Sequence, residues 1–179
     1  ISVLVFMTIL STLITFPVYA HMDDLPQIAV MSLGRLYQNY LQLMAYLNLP
    51  WVGTLHMNDF PTSVHGAIHF ADVRHLFLFD IGVAVVTVPF AVRWLHQLRI
   101  TRKRYLLVRP FMIGAVVPVV LTAILAVNFD QFFITFHEVL FRNSDWLFDP
   151  ATDPIINVLP EGFFMLCFLT AFALFEAVM

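Results

Sequence analysis

Residues 65–75 read HGAIHFADVRH, and 137–149 read HEVLFRNSDWLFD. Both stretches gather ionisable groups in a chain that carries few of them. His65, His69 and Asp72 recur at i, i+4 and i+7, so a helix would set them on one face. His75 returns close to that face, and Arg74 points elsewhere, free to hold an anion or to pair with an acid. Histidine is the side chain that exchanges protons near neutral pH. The functional reading is a His–Asp site facing a second polar cluster led by His137. The structural alternative is a set of interfacial histidines and ion-paired aspartates that tie loops together.

Other chemistries find less support. Cys167 is the only cysteine, so no intramolecular disulfide forms and no Cys-based metal site is expected. HxxxH with an Asp could offer three zinc ligands, but there is no His-Glu-x-x-His and no Cys pair, and no metal is assigned. The serines are Ser2, Ser11, Ser32, Ser63 and Ser144, and none lies in a G-x-S-x-G elbow. Asp80 and Glu176 fall in apolar runs, yet each lies close to a membrane face, which weakens an ion path.

Positioning these groups falls to the rest of the chain. Of 179 residues, 60% are hydrophobic and 12% charged, where a soluble domain carries about a quarter charged. The expected class is an all-α integral membrane protein forming one membrane domain over 1–179. Crossing the hydrocarbon takes about 20 helical residues, and four runs suffice: about 1–20, 76–95, 105–128 and 160–178. The first has no basic flank or clear cleavage site and is read as a spanning helix rather than a signal peptide. Six of the nine Lys and Arg residues lie in 93–109. Excess positive charge marks a cytoplasmic loop, so both termini are expected to be cytoplasmic. Segments 21–75 and 129–159 then share the extracellular face, with nearly all the reactive side chains.

Each outer segment carries an amphipathic pattern. In the first, Leu33, Leu36, Tyr37, Tyr40, Met44 and Leu47 form a stripe, with Arg35, Gln38, Asn39 and Gln42 opposite. Asp23 or Asp24 could cap this helix, and Pro50 ends it. It either lies in the membrane plane or packs on the bundle. In the second, Phe129, Phe132, Phe133, Phe136 and Leu140 form a stripe that Asn143 could end. DPATDP is turn chemistry, and Pro160 suits the first turn of the last helix.

HFADVRHLF, residues 69–77, and FHEVLFRNSDWLFDPATDPIINVLPEGFF, residues 136–164, resemble the lipoprotein intramolecular transacylase family of Gram-positive bacteria. The likeness covers nearly the whole chain, including the four spans and the basic inner loop. It implies a multi-pass protein of the bacterial cell membrane. It further implies a monomer that contacts membrane lipid, binds no nucleic acid and needs no cofactor. The implied substrate is a diacylated lipoprotein whose N-terminal cysteine bears a diacylglyceryl thioether. The implied reaction moves the sn-2 acyl chain onto that cysteine's α-amine, giving a lyso-form lipoprotein. The family's two histidines match His69 and His137, while His65 and His75 stay unassigned.

This reaction suits the residues present. The nucleophile is the substrate's own amine, so no enzymic Ser or Cys is required. An α-amine titrates near 7.7–8.0, so a base must remove a proton and an acid must protonate the leaving glyceryl oxygen. The tetrahedral oxyanion needs donors, for which Arg74, Asn143, the Trp146 indole, a protonated histidine and backbone N–H groups are candidates. His69 is expected as base or as combined base and acid, and His137 as acid or oxyanion partner, an order open to reversal. Asp72 would orient one imidazole. Arg142, Asn143 and Trp146 would support substrate or fold, and Asp145, Asp149 and Asp153 would cap turns or pair with Arg74 or Arg142. A metal-dependent membrane hydrolase and a non-catalytic sensor or assembly protein are the competing classes.

Overall fold

A computed structural model describes residues 1–178, the side chain of Ala126 apart. The chain is all-α, with no strand among the described residues. Among the described residues seven helices follow in order: α1 (Ser2–Met22), α2 (Leu25–Ile28), α3 (Leu33–Asn48), α4 (Val64–Ile100), α5 (Val108–Val127), α6 (Phe129–Leu140) and α7 (Glu161–Val178). Short 3-10 turns sit at Arg104–Leu107 and Pro154–Val158. Helices α1, α4, α5 and α7 are long and apolar enough to cross a membrane. Much of their apolar surface is open, as at Val116, Val117, Val119 and Val120 of α5. Helices satisfy their own backbone groups, so lipid can take the place of protein around them.

The packed core lies at one end of the bundle. Phe16 of α1 stacks on Tyr40 of α3 with centroids 3.8 Å apart, and meets Phe163 of α7 edge-on at 5.3 Å. Leu25, Leu36, Ile155 and Val158 complete it at 1% exposure or less. This end carries α2, α3, α6 and the 141–160 segment, which form a cap. Helix α3 packs on the bundle, against α1 and α4.

Two details of the first cap segment differ from expectation. Asp24 occupies the N-cap position of α2 but makes no side-chain cap bond; Ser32 caps α3 by accepting from Arg35 N. Val30 between them has φ 52°, a strained left-handed conformation for a β-branched residue, and it breaks what the periodicity reads as one helix. Asn39, assigned to the polar face of α3, is 1% exposed. Its amide donates to Asp59 Oδ2 (2.7 Å) and accepts from Asp59 N (2.9 Å), so the buried Asn39 and the half-buried Asp59 together fasten the 49–63 loop. Hydropathy cannot see that pairing.

Helix α4 matters most for the site. Ser63 caps it by accepting from Gly66 N. Its 37 residues extend about 55 Å, against about 30 Å of hydrocarbon. The run without Lys, Arg or His is 76–92, so the first three turns, 64–75, stand beyond the hydrocarbon and enter the cap.

Candidate active site at the cap end of the bundle

His69 and His137 meet at the cap, on α4 and in the last turn of α6. Their ring centroids lie 5.8 Å apart, and each side chain is buried. Phe141 and Phe148 meet the His69 ring edge-on at 4.8 and 5.4 Å. His137 lies between Phe133, at 4.1 Å, and Trp146, at 4.9 Å. An aromatic cage thus encloses two titratable rings.

The hydrogen-bond geometry distinguishes the two. His137 Nδ1 lies 2.7 Å from the Phe133 carbonyl. A carbonyl only accepts, so Nδ1 carries the proton and Nε2 keeps its lone pair. His69 Nδ1 is buried without a hydrogen-bond partner. Burial lowers both pKa values because it penalises the charged ring. His69 falls to about 4, mainly through desolvation and secondarily through the neighbouring His137 charge, against opposing pulls from Asp72 and Asp145. His137 is also lowered by desolvation, partly offset by the Phe133 carbonyl. Both rings are therefore neutral at pH 7.

A stability prediction follows from these shifts. A histidine with a folded pKa below its unfolded value, about 6.5, takes a proton more readily when unfolded. These groups leave stability untouched above pH 6.5 and reduce it as pH falls toward 4. The thermal midpoint in detergent is expected to drop across that window, and to drop less in His69→Gln. An equal drop in both proteins would contradict the assignment.

Three contacts strap the 141–153 segment across the start of α4. His65 Nδ1 meets Asp145 Oδ1 at 2.5 Å. Asn143 Nδ2 donates to Asp72 Oδ2 at 3.0 Å. Ser63 N donates to Asp153 Oδ1 at 2.8 Å. Asn143 also orders its own loop, accepting from Asp145 N and, through its carbonyl, from the Trp146 indole N–H. The Trp146 indole N–H, one of the candidate oxyanion donors, is thus already engaged. Asp72 bonds to Asn143 and makes no hydrogen bond to an imidazole; it acts on His69 through charge.

Arg74 has a different task from those expected. Its guanidinium donates to the carbonyls of Tyr46, Leu49 and Pro50 and stacks over the Tyr46 ring. It satisfies the orphan carbonyls at the end of α3, where a cation also suits the helix dipole. It pairs with no acid: the ion pairs among the described residues are Arg35–Asp59 and His65–Asp145. Arg74→Gln is expected to cost stability, about 1–3 kcal/mol, and to act on the melting temperature rather than on KM. A large KM change with unchanged melting would place Arg74 at the substrate instead.

Sequence reasoning missed Gly66, Phe141 and Phe148. A Cβ on Gly66 would collide with Asp153 Oδ1 and come within 3.1 Å of Thr62 Cγ2. The signal available was a glycine inside a helical run, HGAIH, which marks close approach. Part of the Phe stripe of α6 is also spoken for: Phe132 and Phe136 pack on Phe168 of α7 at 5.1 and 5.2 Å.

Comparison with known proteins bears on this site. A family model described as lipoprotein intramolecular transacylase Lit matches residues 1–164. The structure of the membrane integral Lit from Bacillus cereus superposes with a TM-score of 0.92 at 28% identity, covering 98% of this chain and 81% of that one. A His-to-Arg variant of the Bacillus cereus protein gives a TM-score of 0.81 at 27% identity, covering 98% and 80%. A His-to-Ala variant gives 0.81 at 28%, covering 99% and 81%. No curated protein sequence matches the chain.

Proposed function

The chain belongs to the lipoprotein intramolecular transacylase family and is an integral membrane acyltransferase, and from that premise we propose that His69 and His137 carry out its acyl transfer. The reaction moves the sn-2 acyl chain of a diacylglyceryl-cysteine lipoprotein to the cysteine's α-amine. The observation that carries this reading is the buried pair of neutral imidazoles, 5.8 Å apart, one with a free Nε2 lone pair.

The amine nitrogen attacks the sn-2 ester carbonyl, and His137 Nε2 takes the proton that nitrogen sheds. The tetrahedral intermediate collapses by breaking the bond to the glyceryl oxygen, which leaves with a proton from the histidine pair. The products are an amide and a free sn-2 hydroxyl, so atoms balance without water or cofactor. The sequence favoured His69 as base. The Phe133 carbonyl favours the reverse, because a hydrogen-bonded Nδ1–H makes Nε2 more basic. His69, with its pKa near 4, is the weaker base and the stronger acid. Each ring disfavours charge on the other, so the pair carries one extra proton at a time.

The cap faces the cell exterior in this reading. The basic 93–109 loop at the opposite end supports a cytoplasmic placement of both termini. A diacylated lipopeptide incubated with the enzyme provides the test. Fragment mass spectra should show one acyl group moved to nitrogen, with total mass unchanged. Hydrolysed acyl chains, or transfer between isotope-labelled molecules, would reject intramolecular migration.

A further inference from the structure

A cavity of about 360 Å³ opens beside the histidine pair, between α4 and the segment after α6. Asp72, His75, Arg142 and Asn143 form its polar wall, and Leu76 and Leu140 its apolar wall. Phe141 also lines it, and the same ring lies 4.8 Å from His69 and 5.7 Å from His137. The cavity and the pair thus share one wall. The other large hollow, about 420 Å³ at Leu107, Phe111 and Met112, is lined by apolar side chains and lies at the start of α5, away from the cap.

Charge placement in the first cavity is specific. Asp72 spends Oδ2 on Asn143, and no described residue donates to Oδ1. Arg142 is exposed in the same cavity and forms no ion pair with it. A carboxylate and a guanidinium therefore face one space unpaired. A ligand with a cation at one end and acceptors at the other would complement both. The amino-terminal residue of a peptide is such a ligand. Its amine, near 7.7–8.0, is mostly protonated at pH 7, and its first carbonyls are acceptors. A lipid phosphodiester would suit Arg142 but would meet the Asp72 carboxylate.

We propose that this cavity docks the amino terminus of the lipoprotein, with the α-ammonium on Asp72 Oδ1 and the following peptide carbonyls on Arg142. The glyceryl stem then runs along Leu76 and Leu140. This rests on the transacylase reading and identifies how that site selects a free amine. Asp72 lies one helical turn from His69, so once the docked ammonium has released one proton to solvent, the neutral amine stands beside the pair that takes its second proton during attack.

The test uses a lipopeptide whose two chains are ether-linked, so they cannot migrate and binding is read without turnover. The full-length protein in detergent should bind the free-amine form about tenfold or more tightly than its N-acetyl counterpart, the effect of one charge-assisted hydrogen bond. Asp72→Asn keeps an acceptor for Asn143 and should erase that preference while leaving affinity for the N-acetyl form. Arg142→Gln should weaken both forms alike. Equal binding by the unaltered protein, or a preference that survives Asp72→Asn, overturns the proposal. So does displacement of the ligand by anionic phospholipid vesicles that depends on Arg142. If the ether ligand shows the preference but diacyl lipopeptides never migrate, the docking site stands and the transfer reading fails. The opposite pattern rejects the docking site alone.

Discussion

His137→Ala is expected to lower kcat for acyl migration by about 10²–10⁴-fold, with His69→Ala in the same range. That is the span over which one positioned acid or base typically acts. The two effects should not add. If one proton passes through both rings, the double variant should be little worse than the slower single one, as for residues acting as a unit. The competing account makes the rings packing elements of an aromatic cage. His→Gln variants separate the two, since they keep polarity and much of the volume but cannot relay a proton. The measurement is the initial rate of N-acylation by mass spectrometry, beside thermal melting to establish that each variant is folded. Full turnover in both folded variants would remove the histidines from the chemistry.

Gly66→Ala should cost about 2–6 kcal/mol and most of the activity, although Gly66 itself touches no reacting group in this reading. The added methyl would occupy the space of Asp153 Oδ1. Asp153 is 2% exposed and bonded to Ser63 N and Thr152 Oγ1. It cannot retreat without leaving its own buried carboxylate short of a donor, so overpacking at about 1–3 kcal/mol adds to an unsatisfied hydrogen bond of similar size. The same shift would lift the 141–153 strap, with Trp146 and Phe148, off the histidine pair. A displacement of about 1 Å can cost 10²-fold in rate. Asp153→Ala should relieve part of the Gly66→Ala cost in the double variant, because the two changes share one space. Strict additivity of the melting data would disprove the steric account.

Some of this site was legible in the residues alone. Apolar runs of about 20 residues and the scarcity of charge specified four spanning helices, because a helix satisfies its own backbone groups in lipid and an open strand does not. The i, i+3 spacing set His69 with its acidic neighbour on one face, and the resemblance of FHEVLF singled out His137. Side-chain partners were less legible. Arg74 looked like an anion holder because its charge is plain in the sequence, while the three carbonyls that engage it lie 24 to 28 residues away. Asn39 looked like solvent surface because hydropathy assigns polarity to a residue rather than to a pair.

The sequence by itself determined an all-α membrane protein with its ionisable groups gathered in two segments, since composition and helical period act locally along the chain. Only the tertiary structure decided which of those groups work together. It set His137 Nδ1 on a carbonyl, spent Trp146 and Arg74 on backbone, and left Asp72 and Arg142 facing one cavity. A hydrogen bond over 71 residues, as between Asn143 and Asp72, depends on how helices cross, and that is fixed by packing rather than by spacing.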